Sequence, residues 1–208
     1  ISKTVDLVGE NDYTAIAVGD GVNQTLDLLA LVDDNTAPAG GKFKLRLGHL
    51  APFDSENTTA DVRLDDGSPV VENVNFGDVA DYIELDAGEY DLKITTPGGG
   101  TTLINLAPIT FSEGQIVSAF AVGDGTNQPL GGFALPSDAV GFFLPLDLAR
   151  LQVAHLAPFA NTFEGTRVDI SLNGAPVAAL QDFEYGDSTA YIELPEGSYL
   201  VEIVPDGA

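Results

Sequence analysis

The chain repeats itself, and the repeats return in a fixed order. AIAVGDGVNQ at 15–24 returns as AFAVGDGTNQ at 119–128, HLAPF at 49–53 returns unchanged at 155–159, and FGDVADYIELDAGEYDLKI at 76–94 returns as YGDSTAYIELPEGSYLVEI at 185–203. The offsets drift from 104 through 106 to 109, as they do when related domains differ by a few residues in their loops. A period of about 105 residues is the size of one ordinary domain rather than of a solenoid repeat. Phase then decides the organisation. With a domain starting at the strand that leads into HLAPF, residues 45–150 form one complete copy, residues 1–44 the back part of a copy, and residues 151–208 the front part of a further one. The two partial pieces together have about the length of one more copy. They can complete each other within one chain, between neighbouring chains, or along a longer polypeptide.

Inside each copy the pattern is β. Strand-like alternation runs through YTAIAVG, LDLLALV, KLRLGHL, ADVRLD, DYIELD, YDLKIT, QIVSAFAVG, LQVAHLA, VDISLN, AYIELP and YLVEIV. In YDLKI, Tyr90, Leu92 and Ile94 share one face and Asp91 and Lys93 the other; in YLVEI, Glu202 stands alone on the outer face, with Val201 and Ile203 an apolar surplus. Clusters of Gly, Pro, Asp and Asn, such as DDG at 65–67, TPGGG at 96–100 and SLNGAP at 171–176, separate the strands. No segment keeps a 3.6-residue period long enough for a helix. Short strands with close turns predict an all-β chain of tandem immunoglobulin-like sandwiches. LDAGEY (85–90) and LPEGSY (194–199) share the form Leu-x-x-Gly-x-Tyr. The glycine is expected to take the positive φ of a tight turn. The tyrosine is expected to bury its ring and reach a backbone group through its hydroxyl, as at the tyrosine corner of immunoglobulin-like domains.

Charge narrows the partners. Eight Lys and Arg against 32 Asp and Glu leave a net of -24, about three times the upper end of the roughly 2–8 units comfortable for a small domain. Self-repulsion of that size is best tolerated where salt or divalent cations screen it. With no basic patch to neutralise phosphates, nucleic acid and anionic membrane surfaces are poor partners. The longest apolar runs, such as Val140 to Leu146, are too short to span a bilayer, so no membrane insertion is expected in this segment. The chain has no Cys, which excludes disulfides, thiolate nucleophiles and Cys-ligated zinc. It opens at Ile1 without a signal-like segment and reads as a mature piece of a longer precursor.

The ordered set of landmarks is also recognisable. A strand ends in His-x-x-Pro; a hairpin follows (Val62 to Gly67, Val168 to Gly174); then come Phe/Tyr-Gly-Asp, Tyr-x-x-Leu, Gly-x-Tyr and finally AVGDG. Over nearly the whole chain this resembles the DUF4397 family of bacterial and archaeal surface proteins. Members usually read His-Ala-Ser-Pro where both copies here read His-Leu-Ala-Pro. The resemblance implies an exported, cell-surface or secreted location, tandem copies and an immunoglobulin-like sandwich. It supplies no catalytic residues.

His49 and His155 are the only histidines, one in each HLAPF. An acid–base or metal-binding imidazole needs company from other segments. Neither copy holds a second His, and HLAPF contains neither Ser nor Cys. The expected role is structural: a strand-end ring whose nitrogens bond loop backbone, followed by an Ala-Pro that turns the chain out of the strand. Asp20 and Asp124 in AVGDG, with Asp78 and Asp187 in FGD and YGD, are the candidate calcium ligands, near the acidic loops VDDN, DSEN and LDDG. None of these matches the D-x-[DN]-x-[DN]-G loop, and at each position capping of the turn by the carboxylate competes with metal binding. No catalytic or cofactor-binding set is assembled. The absence of Trp argues against a sugar-stacking cleft. GFFLP (141–145), between copies, is expected to pack a domain junction in preference to marking a contact surface. NQT (23–25) and NTT (57–59) have the form of glycosylation sequons.

The expected function is therefore non-enzymatic. The chain reads as a structural module of an exported surface protein that self-associates head to tail into a filament, stalk or fibre. The alternative is an adhesin or carbohydrate-binding module with calcium-stabilised loops. No cofactor is required, with Ca²⁺ the one ion the acidic loops would suit.

Overall fold

The computed structural model describes residues 2–56, 58–196 and 198–206. The chain divides into two units, Ile1–Asp147 and Leu148–Ala208. The first contains β1 (Asp12–Val18), β2 (Asp27–Asp33), β3 (Lys42–His49), β4 (Ala60–Leu64), β5 (Pro69–Val74), β6 (Ile83–Asp86), β7 (Gly88–Tyr90), β8 (Leu92–Thr95), β9 (Thr102–Asn105), β10 (Ile109–Phe111), β11 (Ile116–Val122), β12 (Gly131–Pro136) and β13 (Phe142–Phe143). The second contains β14 (Leu148–Leu151), β15 (Val168–Leu172), β16 (Ala175–Pro176), β17 (Ile192–Pro195) and β18 (Val201–Pro205). Among the described residues the remaining regular structure is short 3₁₀ turns, so the chain is all-β.

In the first unit a five-stranded sheet in the order β13-β12-β11-β3-β6 and a four-stranded sheet in the order β5-β4-β8-β9 share one apolar core. Phe43, Leu45 and Leu47 of β3 and Val117 and Ala121 of β11 come from the first sheet; Leu92 and Ile94 of β8 and Ile104 of β9 come from the second. The alternation in YDLKI is thus real: Leu92 and Ile94 are buried. Tyr90 packs edge-on against Phe43 and Phe111, and its hydroxyl donates to the Asp86 carbonyl at 2.8 Å. The glycine of the same phrase behaves differently from expectation. Gly88 does not have positive φ; it enters β7 opposite Phe111 in ordinary extended pairing, and a Cβ there would touch nothing. Its counterpart Gly197 lies outside the described residues. Positive φ is taken instead by glycines of other turns, among them Gly77 and Gly186 of the FGD and YGD turns and Gly67 and Gly174 of the hairpins.

The β1–β2 hairpin belongs to the first unit and packs on the outer face of the five-stranded sheet. Val18, Leu50 and Phe120 are buried together there, with Ile16, Leu31, Val122 and Leu135 around them. Ile16 and Phe120 are repeat equivalents, as are Val18 and Val122, and Leu31 and Leu135. The contact therefore joins the same face of two copies. Arg46, only 4% exposed, fastens it. Its guanidinium donates to Asp33 Oδ1, to the Val32 carbonyl and to Ser118 Oγ, and lies over the Tyr82 ring.

The second unit has a two-stranded sheet, β14-β17, and a three-stranded sheet, β16-β15-β18. Its core is small: Val168, Ile170, Leu180 and Phe183. LQVAHLA is not the strand its alternation predicts. β14 stops at Leu151 and only an isolated bridge, Ala154 to Ser188, continues the pairing. The equivalent β3 runs on to His49 because β11 flanks it on its other side. β14 has β17 alone.

Candidate functional site

The two HLAPF phrases fold alike. His49 Nε2 lies 2.7 Å from the Thr58 carbonyl and His155 Nε2 2.7 Å from the Thr166 carbonyl. A carbonyl only accepts, so each ring carries its proton on Nε2. Nδ1 then accepts from the N–H two residues on, Ala51 at 3.4 Å and Ala157 at 3.3 Å. Each ring also stacks on the phenylalanine of its own phrase, Phe53 or Phe159. Both rings are buried, and burial lowers the pKa of His49 below 6.5, against the opposing pull of its bond to Thr58. A neutral, doubly bonded imidazole closing a loop is what this geometry builds.

The phrase is further tied to the Phe/Tyr-Gly-Asp turn. His49 N–H donates to the Asp78 carbonyl and Gly77 N–H to the His49 carbonyl; His155, Asp187 and Gly186 make the same pair of bonds. The sequence shows both phrases in both copies but contains no signal that they touch.

The four candidate calcium ligands sit in turns, each with at least one carboxylate oxygen accepting a local hydrogen bond. Asp124 Oδ1 accepts from the N–H groups of Thr126, Asn127 and Gln128, and Oδ2 from the Asn127 amide. Those bonds, led by Gln128, hold its carboxyl far below the usual range. Asp20 accepts from Gln24 and Val22, and the Gln24 bond is the main cause of its own lowered pKa. Asp78 accepts from Asn75, and Asp187 from the Glu184 N–H. Among the described residues no group of three His, Asp or Glu side chains gathers as a metal site would require. The most buried carboxylate, Asp61, went unnoticed in the sequence. Burial pushes its pKa up, but the Asn73 N–H, Arg63 and the Gly98 N–H outweigh that and hold it below the ordinary value. Asn73 has the left-handed φ of 58°, as does its equivalent Asp182 at 54°, whose N–H donates to Asp169. This clasp too is structural.

Within GFFLP, Phe142 and Phe143 form β13 and are exposed, and Leu144 is buried in the core of the first unit. Of the two sequons, Asn23 donates its side-chain amide to the Pro52 carbonyl, and Asn57 lies outside the described residues. No described helix is long and apolar enough to cross a membrane.

What the molecule leaves open lies at its strand edges. Among the described residues β1 pairs with β2 alone and β14 with β17 alone. Exposure tells the same story. Val201 and Ile203 of β18 are 51% and 62% exposed, where their equivalents Leu92 and Ile94 are 5% and 6%. Leu156 is 70% exposed where Leu50 is 6%, and Leu7 is 68% exposed where Phe111 is 6%. Burying one such side chain contributes about 1.5–3 kcal/mol, so leaving several exposed is costly.

A family model described as Domain of unknown function (DUF4397) matches residues 1–57 and 54–164. The chain belongs to the DUF4397 family. The two matches end one repeat apart, each just past an HLAPF, so the DUF4397 unit is counted here in a different phase from the 45–150 copy. Among curated proteins none matches this DUF4397 chain.

Proposed function

We propose that this DUF4397 chain is a non-enzymatic structural module of an exported surface protein, built from immunoglobulin-like sandwiches and assembling head to tail into a filament or stalk. The carrying observation is exposure at positions whose repeat equivalents are core: Leu7 against Phe111, Val201 against Leu92 and Ile203 against Ile94. On this reading residues 1–44 supply the back strands of a sandwich and residues 151–208 the front strands of one. The Tyr90 hydroxyl bond to Asp86 supports the immunoglobulin-like reading. Unpaired strand edges are templates for another chain, and a donor and an acceptor on one polypeptide generate an open series wherever the rotation between copies does not close a ring. The paired histidine loops serve as fixed corners, with both ring nitrogens committed to backbone. The reading needs no cofactor, since the turn aspartates already have partners.

Electron microscopy of the purified chain at high protein concentration and near-physiological salt tests this. Linear, unbranched particles with a regular axial repeat are expected. Discrete globular particles at every concentration would overturn the reading.

A further inference from the structure

We propose that β1 of one copy of this chain adds as a parallel strand to the free edge of β14 in a second copy, in the register that runs from Asp12 opposite Arg150 to Ala17 opposite His155. The inference rests on the head-to-tail reading and specifies its seam.

The complete copy supplies the pattern. There β11 lies parallel to β3, with Ile116 opposite Lys44 through Ala121 opposite His49. β1–β2 is the repeat equivalent of β11–β12 and keeps its register: Ala15 faces Ala30 as Ala119 faces Ala134, and Val18 faces Asp27 as Val122 faces Gly131. β14–β17 is the equivalent of β3–β6 and keeps that register too: Leu148 faces Pro195 as Lys42 faces Asp86, and Leu151 faces Ile192 as Leu45 faces Ile83. Both sides of the seam are thus present in repeat-true form, while among the described residues the β11–β3 pairing between them has no counterpart. β14 keeps four residues where β3 has eight, the shortening expected of a strand that lacks one neighbour.

The side chains at the seam have changed in step. In the complete copy Gly48 sits beneath Phe120, where a Cβ would come within 2.8 Å of the ring and 3.0 Å of Val79. At the proposed seam the same three places hold Ala154, Ile16 and Ser188. The floor has gained a methyl, and both groups above it have shrunk. Arg46 bonded to Ser118 becomes Gln152 beside Thr14, still a donor facing a hydroxyl. Ile116 opposite Lys44 becomes Asp12 opposite Arg150, an apolar–cation pair replaced by opposite charges. The apolar flanks match as well. Phe111 stacks on Phe43 at 4.4 Å and packs on Tyr90; the corresponding Leu7 would lie against Ala149 and Tyr199 of the second copy.

A chain without cysteine makes the register directly measurable. Thr14→Cys and Gln152→Cys proteins are mixed in equal amounts and oxidised, or bridged with a short thiol-specific linker. A covalent dimer is expected from the mixture and little from either protein alone; the T14C/Q152C double variant should give a covalent ladder. Thr14→Cys mixed with Ala154→Cys, two residues out of register on the same face, should cross-link at least tenfold more slowly. Equal cross-linking in the shifted pair, or none in either mixture while sedimentation still shows oligomers, overturns the register and leaves the head-to-tail reading standing. A double variant that yields only an internally closed monomer overturns the second copy as occupant. Monomers in sedimentation with no cross-link in any variant overturn both. Single-cysteine proteins that keep the wild-type thermal midpoint rule out misfolding as the source of a negative result.

Discussion

At the level of single residues, the glycines of the AVGDG turns carry more of the fold than the histidines that first draw the eye. Gly19 and Gly123 have φ of 88° and 86°, and a Cβ on either would run into the carbonyl of Thr25 or Pro129 across the turn. Gly123→Ala is expected to cost at least about 1–3 kcal/mol, the usual penalty for a non-glycine residue held in that region, with the clash added. Gly88→Ala is the control: with ordinary φ and an open Cβ position it should be neutral or gain a few tenths of a kcal/mol. Urea denaturation of the two variants checks both. For His49, replacement by Gln keeps one donor toward Thr58 but leaves the Ala51 N–H without its acceptor, a loss of about 1–3 kcal/mol for a buried group. The pH dependence follows from the direction of its shift. Burial holds the folded pKa below the unfolded 6.5, so the unfolded chain binds the proton first. The stabilisation is complete above pH 6.5 and is lost as pH falls through the folded pKa. Wild type should therefore lose more stability than His49→Gln between pH 7 and 5. Asp124 obeys the carboxylate rule, contributing above its unfolded value of 3.8 and ceasing to contribute as pH falls through its depressed folded pKa.

At the level of strands, an edge can be blocked without touching the hairpin behind it. The carbonyls of Gln115, just before β11, and of Ala121 accept from Lys44 and Leu50, so by alternation every second residue of that strand, Ala119 included, aims its backbone at β3. Ala15 is the equivalent of Ala119 and aims its N–H away from β2. Ala15→Pro removes that outward N–H and spares the β1–β2 ladder. It should abolish self-association while shifting the thermal midpoint of the monomer by only a few degrees, measured by light scattering beside circular dichroism. The legibility of the strands divides along similar lines. β1, β2, β4 and β8 stand out in the sequence through their alternation, and β11 as a nearly continuous apolar run that is buried on both faces. β12 does not, because its Gly131 and Gly132 carry no apolar signal; Gly132 is needed small, with Leu144 and Leu106 where a Cβ would go. β14 is misjudged in the other direction: LQVAHLA has the pattern of a long strand, but a pattern cannot extend a strand whose neighbour is missing. The histidine role was legible from the lack of any chemical company. The tie between HLAPF and the Phe/Tyr-Gly-Asp turn was not, since both of its bonds are backbone to backbone and carry no residue signature.

At the level of the whole molecule, charge and phase act together. A net charge of -24 opposes both folding and the approach of a second copy. Screening should raise the thermal midpoint and strengthen association as NaCl rises from about 0.01 M, where the Debye length is about 30 Å, to 0.15 M, where it is about 8 Å. Chelation with EDTA at constant ionic strength should change neither, because the turn aspartates are held by backbone N–H groups. In the proposed assembly the repeat phase makes β1 the donor strand and the edge of β14 the acceptor. Sedimentation velocity of the purified chain across a wide concentration range tests that claim most directly. The account predicts a weight-average mass that climbs with concentration through dimer and beyond, without a plateau at any closed oligomer. A single monomeric species over the whole range, or a mass that stops at the dimer, would contradict it.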